Sequence, residues 1–398
     1  MLYKDFKGLS LSALGLGCMR LPTRETNADI DVKKTAEMVD YALKNGINYF
    51  DTAWGYHNGN SEGVIGSVLN KYDRSSYYIA TKFPGYDLNN MDKVQEIFAQ
   101  QLERTGMEYF DFYLIHNVCE RNINHYLDPK YGIIPYLLEQ KKAGKIRHLG
   151  FSAHCRIPDM ERFLQAYGEH MEFCQIQLNW MDWDLQDARG KVELLRRYNL
   201  PIWVMEPLRG GKLATLNERY TERLKAFRDI SVPAWGFRFL QSIPEVAVTL
   251  SGMSNFDQLK ENIEIFATES PTTEQERAEL FDIAHEMSAA VPCTSCRYCT
   301  EYCPMGLDIP TLLNLYNEEV FSAGGFLVTM QLASMPREKR PASCIGCRKC
   351  ESVCPQQIKI PDVLGKLCEI TKKKASTHII YNRYESEAQT CRGCFLEG

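Results

Sequence analysis

No run among the 398 residues is apolar for long enough to cross a bilayer. The opening MLYKDFKGLS lacks the apolar core of a secretory signal. These two absences make the cytoplasm the expected location. There is no basic excess either. The formal net charge of -5 offers no overall positive field to nucleic acid. No G-x-G-x-x-G opens a first strand–helix turn, which excludes a Rossmann dinucleotide site. Cysteine is scarce over most of the chain: only Cys18, Cys119, Cys155 and Cys174 precede residue 290.

What is present is lopsided. Hydrophobic residues make up 44% and charged residues 24%, the profile of a soluble globular protein. The length suggests two domains. Eleven of the fifteen cysteines crowd between Cys293 and Cys394. A disulfide framework suits a small secreted domain rather than a tail behind a cysteine-poor region, so metal ligation is expected.

Cys293, Cys296, Cys299 and Cys303 follow C-x2-C-x2-C-x3-C, with Pro304 next. Cys344, Cys347, Cys350 and Cys354 repeat the spacing, with Pro355 next. This is the run by which bacterial ferredoxins hold 4Fe–4S clusters. Three thiolates from one tight turn can reach three irons of one cube. Resemblance to two-cluster ferredoxins implies that the fourth cysteine of each run ligates the other cluster. One set is then Cys293, Cys296, Cys299 and Cys354. The other is Cys344, Cys347, Cys350 and Cys303.

The repeat continues into MGLDIPTLLNL and QQIKIPDVLGKL, with Pro310 and Pro361 at expected first-turn positions of helices. A small, mostly helical dicluster domain over 292–398 is expected, after a helical linker over 271–291. Structural zinc, which takes paired C-x2-C motifs across a longer loop, fits this spacing poorly. Cys368, Cys391 and Cys394 are left over. Cys391 and Cys394 could join a further metal site one ligand short, but reduced thiols on a frayed tail are the simpler explanation.

Residues 1–270 alternate strand and helix. Strand-like runs occupy 13–18, 47–53, 77–83, 110–116, 146–152, 173–179, 201–207 and 246–251. Helical patterns intervene, one from Val32 to Asn45 with Val32, Ala36, Val39 and Leu43 on its inner face, another from Met91 to Thr105 with Val94, Ile97, Phe98 and Leu102 inward. Eight such units predict an α/β fold, a (β/α)8 TIM barrel whose catalytic groups lie where strands end. Asp51 ends the second predicted strand, with Tyr56 shortly after; Lys82 ends the third and His116 the fourth. A tyrosine can protonate a carbonyl oxygen. Its ordinary pKa of about 10 needs the help of a nearby ammonium. A carboxylate would hold that ammonium, and a histidine could donate to the developing oxyanion.

On NYFDTAWGYHNGNSE (48–62), YIATKFP (78–84), FDFYLIHN (110–117), IRHLGFSAH (146–154), QIQLNW (175–180), MEPLRGGKL (205–213) and SGMSNFDQLKEN (251–262), the chain resembles the aldo/keto reductase family. The resemblance implies the tetrad Asp51, Tyr56, Lys82 and His116, acting on a small-molecule carbonyl or alcohol. It implies a nicotinamide dinucleotide held by Ser152, Gln177, Asn179, Met205, Pro207, Leu208, Gly210, Gly252, Gln258, Glu261 and Asn262. Three departures stand out. Gly252, Met253 and Gln258 occupy positions where NADPH-selective members place Lys, Ser and Arg, which predicts NADH use or a weak preference. Met205 replaces the aromatic that many members stack on the nicotinamide. Glu206 stands near the pyrophosphate in place of a serine and needs Arg209 or Lys212 as neutraliser, or pairs with Arg209.

A nicotinamide passes electrons in pairs and a 4Fe–4S cluster singly. Coupling them calls for a switch such as a flavin, though no flavin motif is evident. Three functions remain in view: a reductase wired through its clusters, with a ferredoxin or similar carrier as partner; a carbonyl reductase whose clusters are structural or regulatory; and a non-catalytic redox sensor, which the complete tetrad disfavours. Lys372, Lys373 and Lys374 read as solvated surface or a guide for an acidic carrier. Substrate choice is expected in loops 20–30, 117–132 and 181–186, with Cys119 and Cys155 near the mouth as lining or packing residues. Anaerobically purified protein should be brown and carry about eight irons and eight sulfides per chain, read by iron and sulfide assay. Colourless protein holding only zinc would sink the cluster assignment.

Overall fold

A computed structural model describes residues 1–288, 290–322 and 326–371. Cys391, Cys394 and Lys372–Lys374 lie outside the described residues. The chain separates into two compact units between Ala284 and His285.

The first unit opens with an antiparallel hairpin, β1 (Tyr3–Phe6) and β2 (Leu9–Ser12). Periodicity had not revealed it, because each strand has only four residues. Eight parallel strands then close into a barrel: β3 (Leu14–Gly17), β4 (Tyr49–Asp51), β5 (Tyr78–Phe83), β6 (Phe110–Val118), β7 (Ile146–Ala153), β8 (Cys174–Gln177), β9 (Ile202–Met205) and β10 (Val246–Ser251). β10 closes against β3. Six of the predicted runs contain one of these strands whole, while β6 and β7 extend past the predicted ends at 116 and 152 to Val118 and Ala153. The strands are buried on both faces, which is why they read as continuous apolar runs.

Aromatic rings fill the barrel's interior. Phe6, carried by the hairpin, meets Trp203 at 5.1 Å and Phe112 at 5.6 Å between ring centroids, with Tyr49 and Phe173 in the same cluster. Phe112 and Phe173 lie next to the strand starts, so the hairpin plugs that end. The mouth at the strand C-termini is left for chemistry.

Two helical faces differ from the pattern expected. The helix Val32–Lys44 buries Thr35, Met38, Val39 and Ala42, while Val32 is exposed. These positions form a single stripe at helical spacing, rotated from the expected one. The helix Val94–Thr105 buries Gln101 rather than Leu102. The amide of Gln101 is buried because it is fully used: it donates to Glu62 Oε1 (2.7 Å) and to the Lys82 carbonyl (3.0 Å), and accepts from the Tyr113 hydroxyl (2.6 Å).

The helix Glu274–Ser288 forms where a linking helix was expected. Its first turns pack in the first unit. Glu276 pairs with Arg238 at 2.9 Å, both buried, and Phe281 stacks on Trp183. In the second unit, helices Ile309–Ser322 and 360–371 start where Pro310 and Pro361 had placed them. Leu312, Leu313, Ile360 and Leu364 share its core with Cys299 and Cys350. Among the described residues no helix is long and apolar enough to cross a membrane.

In the helix Ser61–Leu69, a Cβ on Gly66 would stand 2.3 Å from the Thr105 carbonyl oxygen. Gly66→Ala should therefore cost about 1–3 kcal/mol. The check is urea unfolding followed by tryptophan fluorescence, and an unchanged midpoint would show that the two helices part freely.

Candidate active site

The tetrad converges because β4, β5 and β6 are neighbours in the barrel. Lys82 on β5 is fully buried. Its Nζ donates to Asp51 Oδ1 (2.5 Å), to the Thr52 carbonyl (2.8 Å) and to the Tyr56 hydroxyl (3.4 Å). Burial works against the ammonium. Asp51 and Tyr56 more than offset it and hold the Lys82 pKa above the ordinary lysine value. His116 on β6 approaches Tyr56 edge-on, 6.1 Å between centroids.

Tyr56 behaves differently from the expectation. Burial raises its phenol above the ordinary value of 10.0, and the Lys82 ammonium only pulls part of the way back. Tyr56 is thus a protonated acid at neutrality rather than a phenol close to ionising. His116 is pushed well below the ordinary histidine value by burial, with Lys82 and His154 adding to the effect. It is a neutral imidazole whose Nδ1 is buried and unpartnered.

A second buried layer supports β5 from behind. Glu62 Oε1 accepts from Thr81 Oγ1 (2.6 Å) as well as from Gln101. The outward-facing Thr81 and the inward-facing Lys82 are held together by this network.

A cavity of about 360 Å³ runs from Asp51 and Tyr56 past Met205 to Glu261 and Asn262. Of the residues the resemblance assigned to a dinucleotide, Met205, Pro207, Leu208, Gly210, Gly252, Gln258, Glu261 and Asn262 line it. Ser152, Gln177 and Asn179 are buried and are not among its lining residues. Their polar groups are engaged elsewhere. Ser152 Oγ accepts from the Asn117 N–H (2.8 Å). Gln177 and Asn179 both donate to Asp182 Oδ2, at 2.8 and 2.6 Å. Asp182 is fully buried and also takes Arg209 Nε at 3.0 Å, so this one carboxylate gathers the donors.

Sequence reasoning missed two groups here. Gln175 lines the cavity with a buried, unpartnered Oε1; its place two residues before Gln177 in the same strand was the available signal. The predicted Asp51 lines it too, with Oδ2 buried and unpartnered. A bound molecule with hydroxyl or amide donors would find acceptors waiting. The second missed group is Arg20, from the loop after β3. Its side chain lies against Gly252, and its Nη2 is 4.0 Å from Glu206 Oε1. The cation facing Glu206 therefore includes Arg20, while Arg209 gives its Nε to Asp182. Burial raises the Glu206 carboxyl above its usual range, against the pull of Arg20. Cys119 and Cys155 are buried and absent from the cavity lining, as packing residues would be.

In the second unit, Cys293, Cys296, Cys299 and Cys354 line one void, and Cys344, Cys347, Cys350 and Cys303 line another. These are the two sets that resemblance implied. The turns repeat in backbone detail: Ser295 and Arg297 in the first, and Gly346 and Arg348 in the second, have positive φ at the same offsets. Alternating left-handed residues curl a chain so that successive N–H groups face inward, which suits an anionic cluster. The Leu307 N–H also donates to Cys303 Sγ at 3.4 Å. Among the described residues no three His, Cys, Asp or Glu side chains meet closely enough to chelate a single ion. Thiolates spread around a void fit a cube better than a tetrahedral zinc.

The family model for aldo/keto reductases matches residues 13–283, and that for 4Fe–4S dicluster domains matches 292–358. The chain belongs to the aldo/keto reductase family. A curated relative, the NADH-specific methylglyoxal reductase of Escherichia coli K12, is 28% identical over 52% of this chain and 66% of its own length. A holo-form aldo-keto reductase from Bacillus halodurans superposes with a TM-score of 0.59 at 24% identity, over 71% of this chain and 96% of that one. One from Klebsiella pneumoniae in complex with NADPH gives 0.56 at 19% identity, over the same shares. At these identities the solved structures speak for the fold. They cover the barrel and leave the dicluster domain of this aldo/keto reductase beyond the match.

The neutral state of His116 is testable directly. Its imidazole signals in ¹H–¹⁵N NMR should stay unchanged from about pH 8 to about pH 6. A midpoint near the ordinary histidine value of 6.5 would contradict its burial beside Lys82.

Proposed function

We propose that the barrel interconverts a small-molecule carbonyl compound and its alcohol with a nicotinamide dinucleotide, and that the C-terminal unit holds two 4Fe–4S clusters for one-electron transfer. The observation that carries the proposal is the Lys82 ammonium, buried between Asp51 and Tyr56 at the end of a long cavity. When bound, the nicotinamide would supply or accept a hydride and the clusters single electrons.

The chain's own residues do the rest. Tyr56 holds a proton at the cavity's inner end and can give it to a carbonyl oxygen. Lys82 stabilises the phenolate left behind, and Asp51 keeps Lys82 charged and aimed. Neutral His116 can offer an N–H to the same oxygen. Gln175 and Asp51 present unpartnered acceptors to a ligand's amide or hydroxyl donors.

For the dinucleotide we favour NADH. Gly252, Met253 and Gln258 bring no charge, and the charge of Arg20 is offset by Glu206. A phosphomonoester would meet a nearly neutral pair. The E. coli relative, named as NADH-specific, leans the same way. An acidic one-electron carrier remains the proposed partner of the clusters.

Tyr56→Phe should slow carbonyl reduction by about 10²–10⁴-fold while leaving dinucleotide binding intact. In the unaltered protein the pH dependence follows from the raised phenol. The proton stays on at neutrality, so reduction should hold until the pH passes the ordinary tyrosine value of 10.0, and alcohol oxidation should climb toward it. An alkaline limb near neutrality, or an active Tyr56→Phe, would remove the tyrosine from its role. Freeze-quenched EPR during turnover addresses the clusters: signals that never change would leave them a structural part only.

A further inference from the structure

Tyr56 heads a turn that is left-handed for three successive residues: His57 (φ 53°), Asn58 (φ 55°) and Gly59 (φ 91°). Glycine adopts that backbone freely and histidine does not. The His57 ring is nevertheless buried, and both nitrogens are engaged. The Leu21 N–H donates to Nε2 at 3.1 Å, and Nδ1 lies 2.6 Å from the Asn27 carbonyl oxygen. A backbone N–H can only donate and a carbonyl can only accept. The ring must therefore be neutral, with its proton on Nδ1. Two neighbours add stitches. Asn60 Nδ2 donates to the Ala28 carbonyl (2.9 Å), and Ser61 Oγ to the Cys18 carbonyl (3.1 Å).

The stitched loop also borders the cavity. Arg20, adjacent to Leu21, accepts at its carbonyl from Ser254 Oγ (2.8 Å) and extends its guanidinium along Gly252 toward Glu206. Loop 18–28 thus touches the turn of Tyr56 on one side and the dinucleotide cavity on the other. We infer that His57 is a positioning residue for dinucleotide binding, acting by holding Leu21 and hence Arg20 over the cavity. This rests on the dinucleotide assignment made above.

The test uses the full-length protein, with NADH and NADPH titrated by fluorescence. His57→Gly gives the turn its preferred residue but removes the ring. It should weaken binding of the preferred dinucleotide by about tenfold, through two lost hydrogen bonds. His57→Asn carries one donor and one acceptor and tolerates positive φ, so it should recover most of that loss. Arg20→Ala should weaken binding comparably. The double variant His57→Gly/Arg20→Ala should be little worse than either alone, because the two lie on one chain of action. Wild-type affinity in His57→Gly would overturn the inference, and so would additive losses in the double variant. If His57→Gly does not fold, wild-type dinucleotide affinity in Arg20→Ala overturns the inference instead, because His57 is argued to act through Arg20. Wild-type protein that binds neither dinucleotide would instead sink the dinucleotide assignment itself, and this inference with it.

Discussion

A lysine with no access to water organises the barrel's candidate site. The Lys82 ammonium survives inside the wall because Asp51 and the Thr52 carbonyl, both at the end of β4, replace its hydration. Its remaining donor direction is the Tyr56 hydroxyl. Removing one charge of such a buried pair leaves the other uncompensated, a cost of about 3–5 kcal/mol. The pair therefore links stability to the proposed function. It requires β4 and β5 to be adjacent and in register, and that is what barrel closure supplies. Behind β5, the network of Glu62, Thr81 and Gln101 fixes the same strand from its outer face.

The cavity depends on a second buried carboxylate. Asp182 draws Gln177, Asn179 and Arg209 to itself and so anchors the loop after β9. Glu206, Arg209, Gly210 and Gly211 in that loop all have positive φ. Such a backbone persists only where its surroundings over-determine it, and the buried Arg209–Asp182 pair provides that constraint. Across the cavity, Arg20 answers Glu206 from the loop after β3. Strand ends thus hold the groups proposed to react, while loops held by buried polar contacts shape the space in front of them.

The C-terminal unit solves a different problem with local means. Its two cysteine turns are short, wound by alternating left-handed residues, and followed by helices that begin at Ile-Pro. Cys299 and Cys350 belong to its apolar core, whereas Cys296 and Cys347 are exposed. Each cysteine set is therefore half sheltered and half open.

Local patterns in the chain were enough for whatever depends on spacing along it. Eight apolar runs foretold eight barrel strands, two cysteine runs foretold two cysteine-lined voids, and polar residues near strand ends foretold the meeting of Asp51, Tyr56, Lys82 and His116. Each is a statement about periodicity or offset, and both survive folding. Tertiary structure alone decided what depends on approach between distant segments. Arg20 and Gly252 are far apart in sequence and meet only when β10 closes on β3. Gln101 displaces Leu102 from the buried face because Glu62 and the Lys82 carbonyl lie there to receive it. Tyr56 keeps its proton because burial outweighs its neighbouring ammonium, and burial is a property of the whole fold that no local stretch of residues contains.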